Sequence, residues 1–445
     1  MKTPIVDFVR KYSESQALRL HMPGHKGVGH LGFEGLDITE IDGADSLYEA
    51  KGIIRESERN ASALFGCETY YSTEGSSHCI RTMIYLLTLY AKESARTPLI
   101  LAARNVHKTF ISACGMLDVD VSWIYPEKNE AYLSCKITPK KLEEAILSAP
   151  ERPIALYLTS PDYLGNVADI KALSEVCHRY GVLVCVDNAH GAYLRFLPNS
   201  LHPMDLGADI CSDSAHKTLP VLTGGAYIHI SRNAPNSFFE NVRNCFAAFG
   251  STSPSYLILQ SLDAANKYIS EGYPDKLHMF SLLIEHAKKE LSDYGYVFVG
   301  DESLKLTLKT KPVGYTGEQI ADILKQKGIT VEFCDSDHVV MMLTPETGEA
   351  GLDALQKALL EIPINEPVTE NFPRSTKPKA VMSIREAMLR PSQTLPASEC
   401  LGMTLAMTAI ACPPAVPIVV SGEMIDLNAI KAFEYYGITH CNVIK

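Results

Sequence analysis

Two short blocks hold the residues with the most chemistry. Asp187-Asn188-Ala189-His190-Gly191 follows the apolar run Val182-Leu183-Val184-Cys185-Val186, and Ser212-Asp213-Ser214-Ala215-His216-Lys217-Thr218 lies further along the chain. An amine such as that of Lys217 can hold an aldehyde covalently, and a carboxylate such as Asp187 can face a protonated ring nitrogen. A third stretch, Gly75-Ser76-Ser77, precedes the helically spaced residues Ile80, Met83, Ile84 and Leu87. Free N–H groups, two hydroxyls and the positive helix end suit a phosphate there, although serines also serve as ordinary caps. An amine for an aldehyde, an anion for a ring nitrogen and donors for a phosphate are what pyridoxal 5'-phosphate asks of a protein.

Such groups need rigid elements behind them. The pattern predicts a helix over Ser76–Lys92 and strands at Leu99–Ala102, Val121–Tyr125, Ile154–Leu158, Val182–Val186, Ala208–Cys211 and Gly225–Ile230. An amphipathic helix from Asp169 to Tyr180 lies among them, with Gly181 as its stop. Strands alternating with helices imply a large, mainly parallel sheet with helices on both faces, where ligands sit at the carboxyl ends of strands. Asp187 stands at such an end. After residue 255 a long helical stretch, Tyr256–Asp293, leads to a smaller α+β region of paired strands. The expected domains are an N-terminal arm (1–60), a major cofactor-binding domain (61–290) and a small C-terminal domain with a Pro-rich tail (291–445). Residues 362–378, with four prolines, read as an internal linker.

The arm carries His21-Met22-Pro23-Gly24-His25-Lys26, a loop that by spacing alone is either polar surface or a ligand-facing segment. Asp37, Glu40, Asp42 and Asp45 follow, as a solvated turn or a cation-binding rim. Composition narrows the classes: 445 residues, 46% hydrophobic, make an ordinary globular chain, and a net charge of −11 argues against nucleic acid. The 12 cysteines contain no C-x-x-C pair, so no metal site is expected and reduced thiols in the cytoplasm are. The start lacks the apolar run of a signal peptide, and prolines 413, 414 and 417 break the longest apolar region, so no membrane segment is expected.

The blocks together resemble the ornithine/lysine/arginine decarboxylase family of fold-type I pyridoxal phosphate enzymes, in its short bacterial form. The matching segments are His21–Lys26, Arg104-Asn105-Val106-His107-Lys108, Asp187–Ala192, Ser214–Thr218 and Ser251-Thr252-Ser253-Pro254-Ser255-Tyr256, with a looser match at Gly422-Glu423. The resemblance implies an aspartate aminotransferase-like fold and decarboxylation of arginine, lysine or ornithine through Schiff-base and quinonoid intermediates. Polyamine biosynthesis or amino-acid metabolism would be its setting. It implies that Lys217 binds the aldehyde and Asp187 pairs with the ring nitrogen. Ala189 would pack on one ring face, with His190 in the same cofactor block, and His107 would stack on the other face. Gly75, Ser76, Ser77, Ser214 and His216 would serve the phosphate. His216 or His107 could carry the proton. Ser251 and Thr252 would reach the phosphate of the neighbouring subunit in a homodimer, or a higher oligomer, with shared active sites. The wing domain of the large family members is expected to be absent, and with it their decamer. For a cationic substrate end the candidates are His25, Glu40, Asp42, Asp45 and Glu423, with Glu423 and one of the 40–45 group favoured.

This sequence departs from the family pattern at Glu74 (where a neutral residue is expected), Asn188 (an acidic one), Asp162 in Ser160-Pro161-Asp162-Tyr163, Thr223-Gly224-Gly225 (which lacks a Gln), Ala415 (a Gly) and Ser421 (a Pro). Two other readings stand beside the first. One is aminotransfer or another lyase reaction, with Arg195, Arg232, Arg243 or Arg385 clamping a carboxylate. The other is a non-catalytic regulatory relative.

Overall fold

The apolar runs of the first half become strands β1 (Glu68–Ser72), β2 (Leu99–Ala103), β3 (Asp120–Ile124), β4 (Ala155–Thr159), β5 (Leu183–Asp187), β6 (Ile210–Asp213) and β7 (Ala226–Ile230). The computed structural model describes residues 1–127, 130–369, 373, 377–407 and 414–445. Pro413 and most of 370–376 in the expected linker therefore lie outside the described residues. Two compact units interleave along the chain. One is Met1–Arg96 with Leu183–Lys276, the other Thr97–Val182 with Leu277–Lys445, so the boundaries expected at 60 and 290 cut through both.

In the first unit β5 and β6 are parallel, with Asp187 opposite Ser212. β7 runs antiparallel to β6 and to β1, so the sheet here is mixed. Every residue of β6 and β7 is buried, the polar Ser212, Asp213 and His229 included. The helix Gly75–Glu93 packs on both strands, and Ile80, Met83, Ile84 and Leu87 form its buried face, as their spacing predicts. The stretch expected as one helix after residue 255 is two, Tyr256–Ser270 and Tyr273–Tyr294, separated where Gly272 adopts φ +96°.

The first of these two helices anchors the N-terminal arm. Asp263 Oδ2 accepts from the backbone N–H of Ile5 (2.9 Å) and Val6 (3.0 Å), capping the helix Pro4–Glu14 from outside its own sequence. Its Oδ1 accepts from Ser57 Oγ at 2.5 Å. Asn266 and Tyr71 complete this buried polar network. Beside it the buried Glu58 pairs with Arg243 at 2.6 Å.

In the second unit β2 lies between β3 and β4, all parallel. Strands β8 (Val297–Val299), β9 (Lys305–Lys309), β10 (Phe333–Cys334) and β11 (His338–Met342) form an antiparallel sheet ordered β10-β11-β9-β8. The described part of the last sixty residues, which reads in the sequence as a Pro-rich tail, carries a sheet of its own. Strands β12 (Ser392–Pro396), β13 (Leu405–Met407) and β14 (His440–Ile444) form a third sheet, ordered β12-β14-β13. With the helix Leu427–Tyr435 it encloses Leu405, Ile425, Phe433 and Val443. β12 is an edge with no fully buried residue and no apolar run, which hid it from periodicity. Among the described residues no cysteine is assigned to a disulfide, and no described helix is long and apolar enough to cross a membrane.

Burial of the Asp263 carboxyl pushes its pKa from 3.8 up to about 6, with the Ser57, Val6 and Ile5 donors opposing the shift. The folded state therefore holds this proton more tightly than the unfolded one, and its contribution to stability falls as pH rises from about 4 to about 6. Chemical denaturation across that window should show this loss in the wild type, and Asp263→Asn should flatten it. An unchanged slope in the variant would remove Asp263 as its source.

Candidate active site

Because β5 and β6 are parallel neighbours, the two reactive blocks leave the sheet side by side. Asn188 N still donates to Ser212 O at 2.9 Å, and Lys217 follows on the single helical turn Ala215–Thr218. Lys217 Nζ then donates to His190 Nε2 at 2.9 Å. The amine of one block thus meets the imidazole of the other. Asp187 is 2% exposed, and its Oδ1 accepts from Ala189 N at 3.3 Å. The Ala189 methyl is buried beside it.

His216 Nδ1 donates to Gly225 O at 2.9 Å, a tautomer set by the carbonyl, which can only accept. Burial lowers the His216 pKa, the Gly225 bond opposes that shift, and the Lys217 charge adds to it. Near neutral pH the ring is therefore uncharged, with a free lone pair at Nε2.

The expected phosphate seat lies at the start of the helix Gly75–Glu93. Gly75 opens its helix at φ +73°, with no heavy atom within 4 Å of where a Cβ would stand. Gly75 N donates to Gly224 O at 2.7 Å, and Ser214 Oγ donates to Ser76 Oγ at 2.7 Å. Ser77 lies half-buried on the first turn. Glu74 makes no side-chain cap for this helix. Its Oε1 instead accepts from Ser251 N at 2.6 Å, which gives the unexpected carboxylate a partner. Ser251 and Thr252 are otherwise exposed. An uncapped helix start, paired hydroxyls, a buried carboxylate and an amine held by an imidazole fit pyridoxal phosphate.

Other expected site residues have different work. Asp45 accepts from the backbone N–H of Ser46, Lys51, Gly52, Ile54 and Arg55, so it caps the helix Ile53–Phe65 and has little capacity left for a substrate amine. Glu423, 2% exposed, pairs with Arg104 at 2.9 Å and accepts from Val420 N, so its charge is already matched. His25 Nε2 lies 3.1 Å from Asp37, and its Nδ1 accepts from Gly27 N, which shapes the arm loop. Glu40 and Asp42 are exposed. His107 belongs to the second unit, where Nδ1 accepts from Thr109 N and caps the helix Lys108–Leu117.

One more departure, at 162, acquires a physical reason. Asp162 accepts from Ser134 Oγ, Leu164 N and both nitrogens of Asn166, and so organises the loop after β4. Ala415 adopts φ +56°, a left-handed conformation that suits the glycine expected there.

Sequence reasoning missed a buried network under the reactive blocks. Asp213 Oδ1 accepts from Asn188 Nδ2 at 2.7 Å, and its Oδ2 accepts from His202 Nε2 (3.0 Å) and His229 Nε2 (3.1 Å). The available signal was Ala226-Tyr227-Ile228-His229-Ile230, a histidine in a strand that is otherwise unable to satisfy it.

The profile of the Orn/Lys/Arg decarboxylase major domain matches residues 3–298. The arginine decarboxylase of Bacillus subtilis (strain 168) is 29% identical over 95% of this chain and 91% of its own length. That of Halalkalibacterium halodurans is 30% identical with the same coverage. Among solved structures, the lysine decarboxylase LdcF of Francisella novicida superposes with a TM-score of 0.78 at 17% identity, covering 100% of this chain and 81% of its own. That likeness shows the fold, which is that of the type I pyridoxal phosphate enzymes.

Asp45→Ala should cost about 1–2 kcal/mol of stability through loss of the helix cap. Its KM for amino-acid substrates should stay at the wild-type value. A raised KM at wild-type stability would return Asp45 to the substrate site.

Proposed function

Because the chain belongs to the ornithine/lysine/arginine decarboxylase family, we propose that it is a pyridoxal phosphate-dependent decarboxylase of a basic amino acid, with arginine the first substrate to test. The observation that supports this best is the 2.9 Å contact of Lys217 Nζ with His190 Nε2, which joins the lysine block to the aspartate block.

When bound, the cofactor would supply an electron sink for the pair released as the α-carboxylate leaves. This chain's residues would do the rest. Lys217 would hold the aldehyde, and the buried Asp187 would keep the ring nitrogen protonated. The first-turn N–H groups of Gly75–Glu93, with Ser76, Ser77 and Ser214, would hold the phosphate. Neutral His216 would take up a proton at Nε2 and return it. Lys217, once displaced by the substrate amine, would pass its proton through His190. For His107 the stacking role rests on family membership alone. Ser251 and Thr252, being exposed, would serve the neighbouring subunit of a dimer, which analytical ultracentrifugation would test. With Asp45 and Glu423 engaged, Glu40 and Asp42 are the acidic candidates left for the distal amine or guanidinium.

Aminotransfer is less well supported. Arg195 holds Asp205 at 2.6 Å, Arg243 holds Glu58 at 2.6 Å, and Arg385 donates to Met116 O at 2.9 Å. Three of the arginines suited to clamping a substrate carboxylate are thereby occupied.

Carbon dioxide release and product identification with arginine, lysine and ornithine test the reading. One of the three should give its amine. Keto acid without carbon dioxide would replace decarboxylation by aminotransfer. Lys217→Ala should abolish the visible absorbance of covalently held cofactor. Asp187→Ala should keep some cofactor while turnover falls on the order of a hundredfold or more; wild-type turnover in that variant would reject its role.

A further inference from the structure

The residue after Asp187 is an amide where the family has an acid, and a carboxylate stands one strand away. Asn188 Nδ2 donates to Asp213 Oδ1 at 2.7 Å, while Asp213 Oδ2 accepts from His202 and His229 at 3.0 and 3.1 Å. His229 Nδ1 in turn lies 2.9 Å from Thr69 Oγ1 on β1. Asn188, Asp213, His202, His229 and Thr69 are each 0% exposed. No solvent can replace a lost partner here, so a charge-assisted bond is strong and its loss is costly.

The position of this bond matters more than its strength. Asn188 directly follows Asp187, and Asp213 ends β6 and leads into the turn that carries Lys217. Beyond the last backbone contact, Asn188 N to Ser212 O, the Asn188–Asp213 bond ties the two strand ends together. His202, Cys211 and Asp213 also lie close enough to bracket a metal ion. Both Asp213 oxygens already accept N–H bonds, however, and burial raises the Cys211 thiol far above its ordinary range.

We infer that Asn188 and Asp213 are positioning residues, a buried amide–carboxylate clasp that sets the Lys217 amine and the Asp187 carboxylate at the spacing one coenzyme ring requires. This rests on the cofactor reading proposed above. Asp213 acts only through Asn188 and the turn that follows it.

The clasp can be inverted. With Asn at 213, the amide oxygen can accept from both histidines and the NH2 can donate to a carboxylate at 188. Each single exchange instead removes the charge-assisted bond. Asn188→Asp opposes two carboxylates, and Asp213→Asn leaves two amides that can pair only by a neutral bond, with Asn188 turned so that its oxygen accepts.

The protein reconstituted with pyridoxal phosphate is compared with Asn188→Asp, Asp213→Asn, their double exchange and Asn188→Ala. The measurements are coenzyme absorbance, retention of coenzyme through dialysis, and kcat and KM. Each single exchange should weaken retention about tenfold or more. The double exchange should retain coenzyme better than either single one. Thermal unfolding without coenzyme identifies any single variant that does not fold. Asn188→Ala then carries the test, because it leaves Asp213 and both histidine bonds intact; it should shift the absorbance and lower kcat. A double exchange no better than the worse single one, or an Asn188→Ala variant with wild-type absorbance, retention and kcat, overturns the clasp and leaves the cofactor reading standing. A wild-type protein that takes up no coenzyme defeats that reading, and the clasp with it.

Discussion

The parallel pairing of β5 with β6 is the constraint on which the site depends. It puts Asp187 opposite Ser212 in a fully buried register. A slip of one residue would turn Asp187 to the other face of the sheet and carry His190 away from Lys217. The register is held by apolar residues on both faces and by the polar network at the strand ends. Hydrophobic burial decides that the strands pair, and the Asn188–Asp213 bond helps decide where they stop.

Much of this was legible in the sequence. Val182–Val186 reads as a buried strand, and the helical spacing of Ile80, Met83, Ile84 and Leu87 fixes the face that meets the sheet. The motif blocks single out Lys217, Asp187, Ser76 and Ser214, which lie on the turn after β6, at the end of β5, on the first turn of the helix Gly75–Glu93 and just after β6. The substrate end was less legible. Asp45 and Glu423 look like available anions in one dimension, but their partners are backbone amides in one case and a distant arginine in the other. No local pattern encodes Arg104 meeting Glu423 or Asp213 meeting His202 and His229. The third sheet was missed for a related reason. β14 alternates buried Cys441 and Val443 with outward residues, but its partner β12 is too exposed to announce itself.

The departures from the family pattern share a theme. At positions 74, 162 and 188 a polar group of unexpected kind has specific partners: Ser251 N for the first, Ser134 and Asn166 for the second, and Asp213 for the third. None leaves a bare charge where phosphate or ring would be. The cofactor apparatus is thus compatible with a rewired surrounding shell, because each change carries its own compensating hydrogen bond.

Gly224 adopts φ +99°, and a Cβ there would come within 2.9 Å of the Thr73 carbonyl oxygen, while its own oxygen receives the Gly75 N–H. The segment after Lys217 and the segment before the helix Gly75–Glu93 are therefore pressed backbone to backbone. For protein engineering they form one cassette despite their separation in the chain. A graft that imports either loop from a homologue without its counterpart would bring mismatched main-chain surfaces together, and would disturb the start of that helix without altering any residue in it.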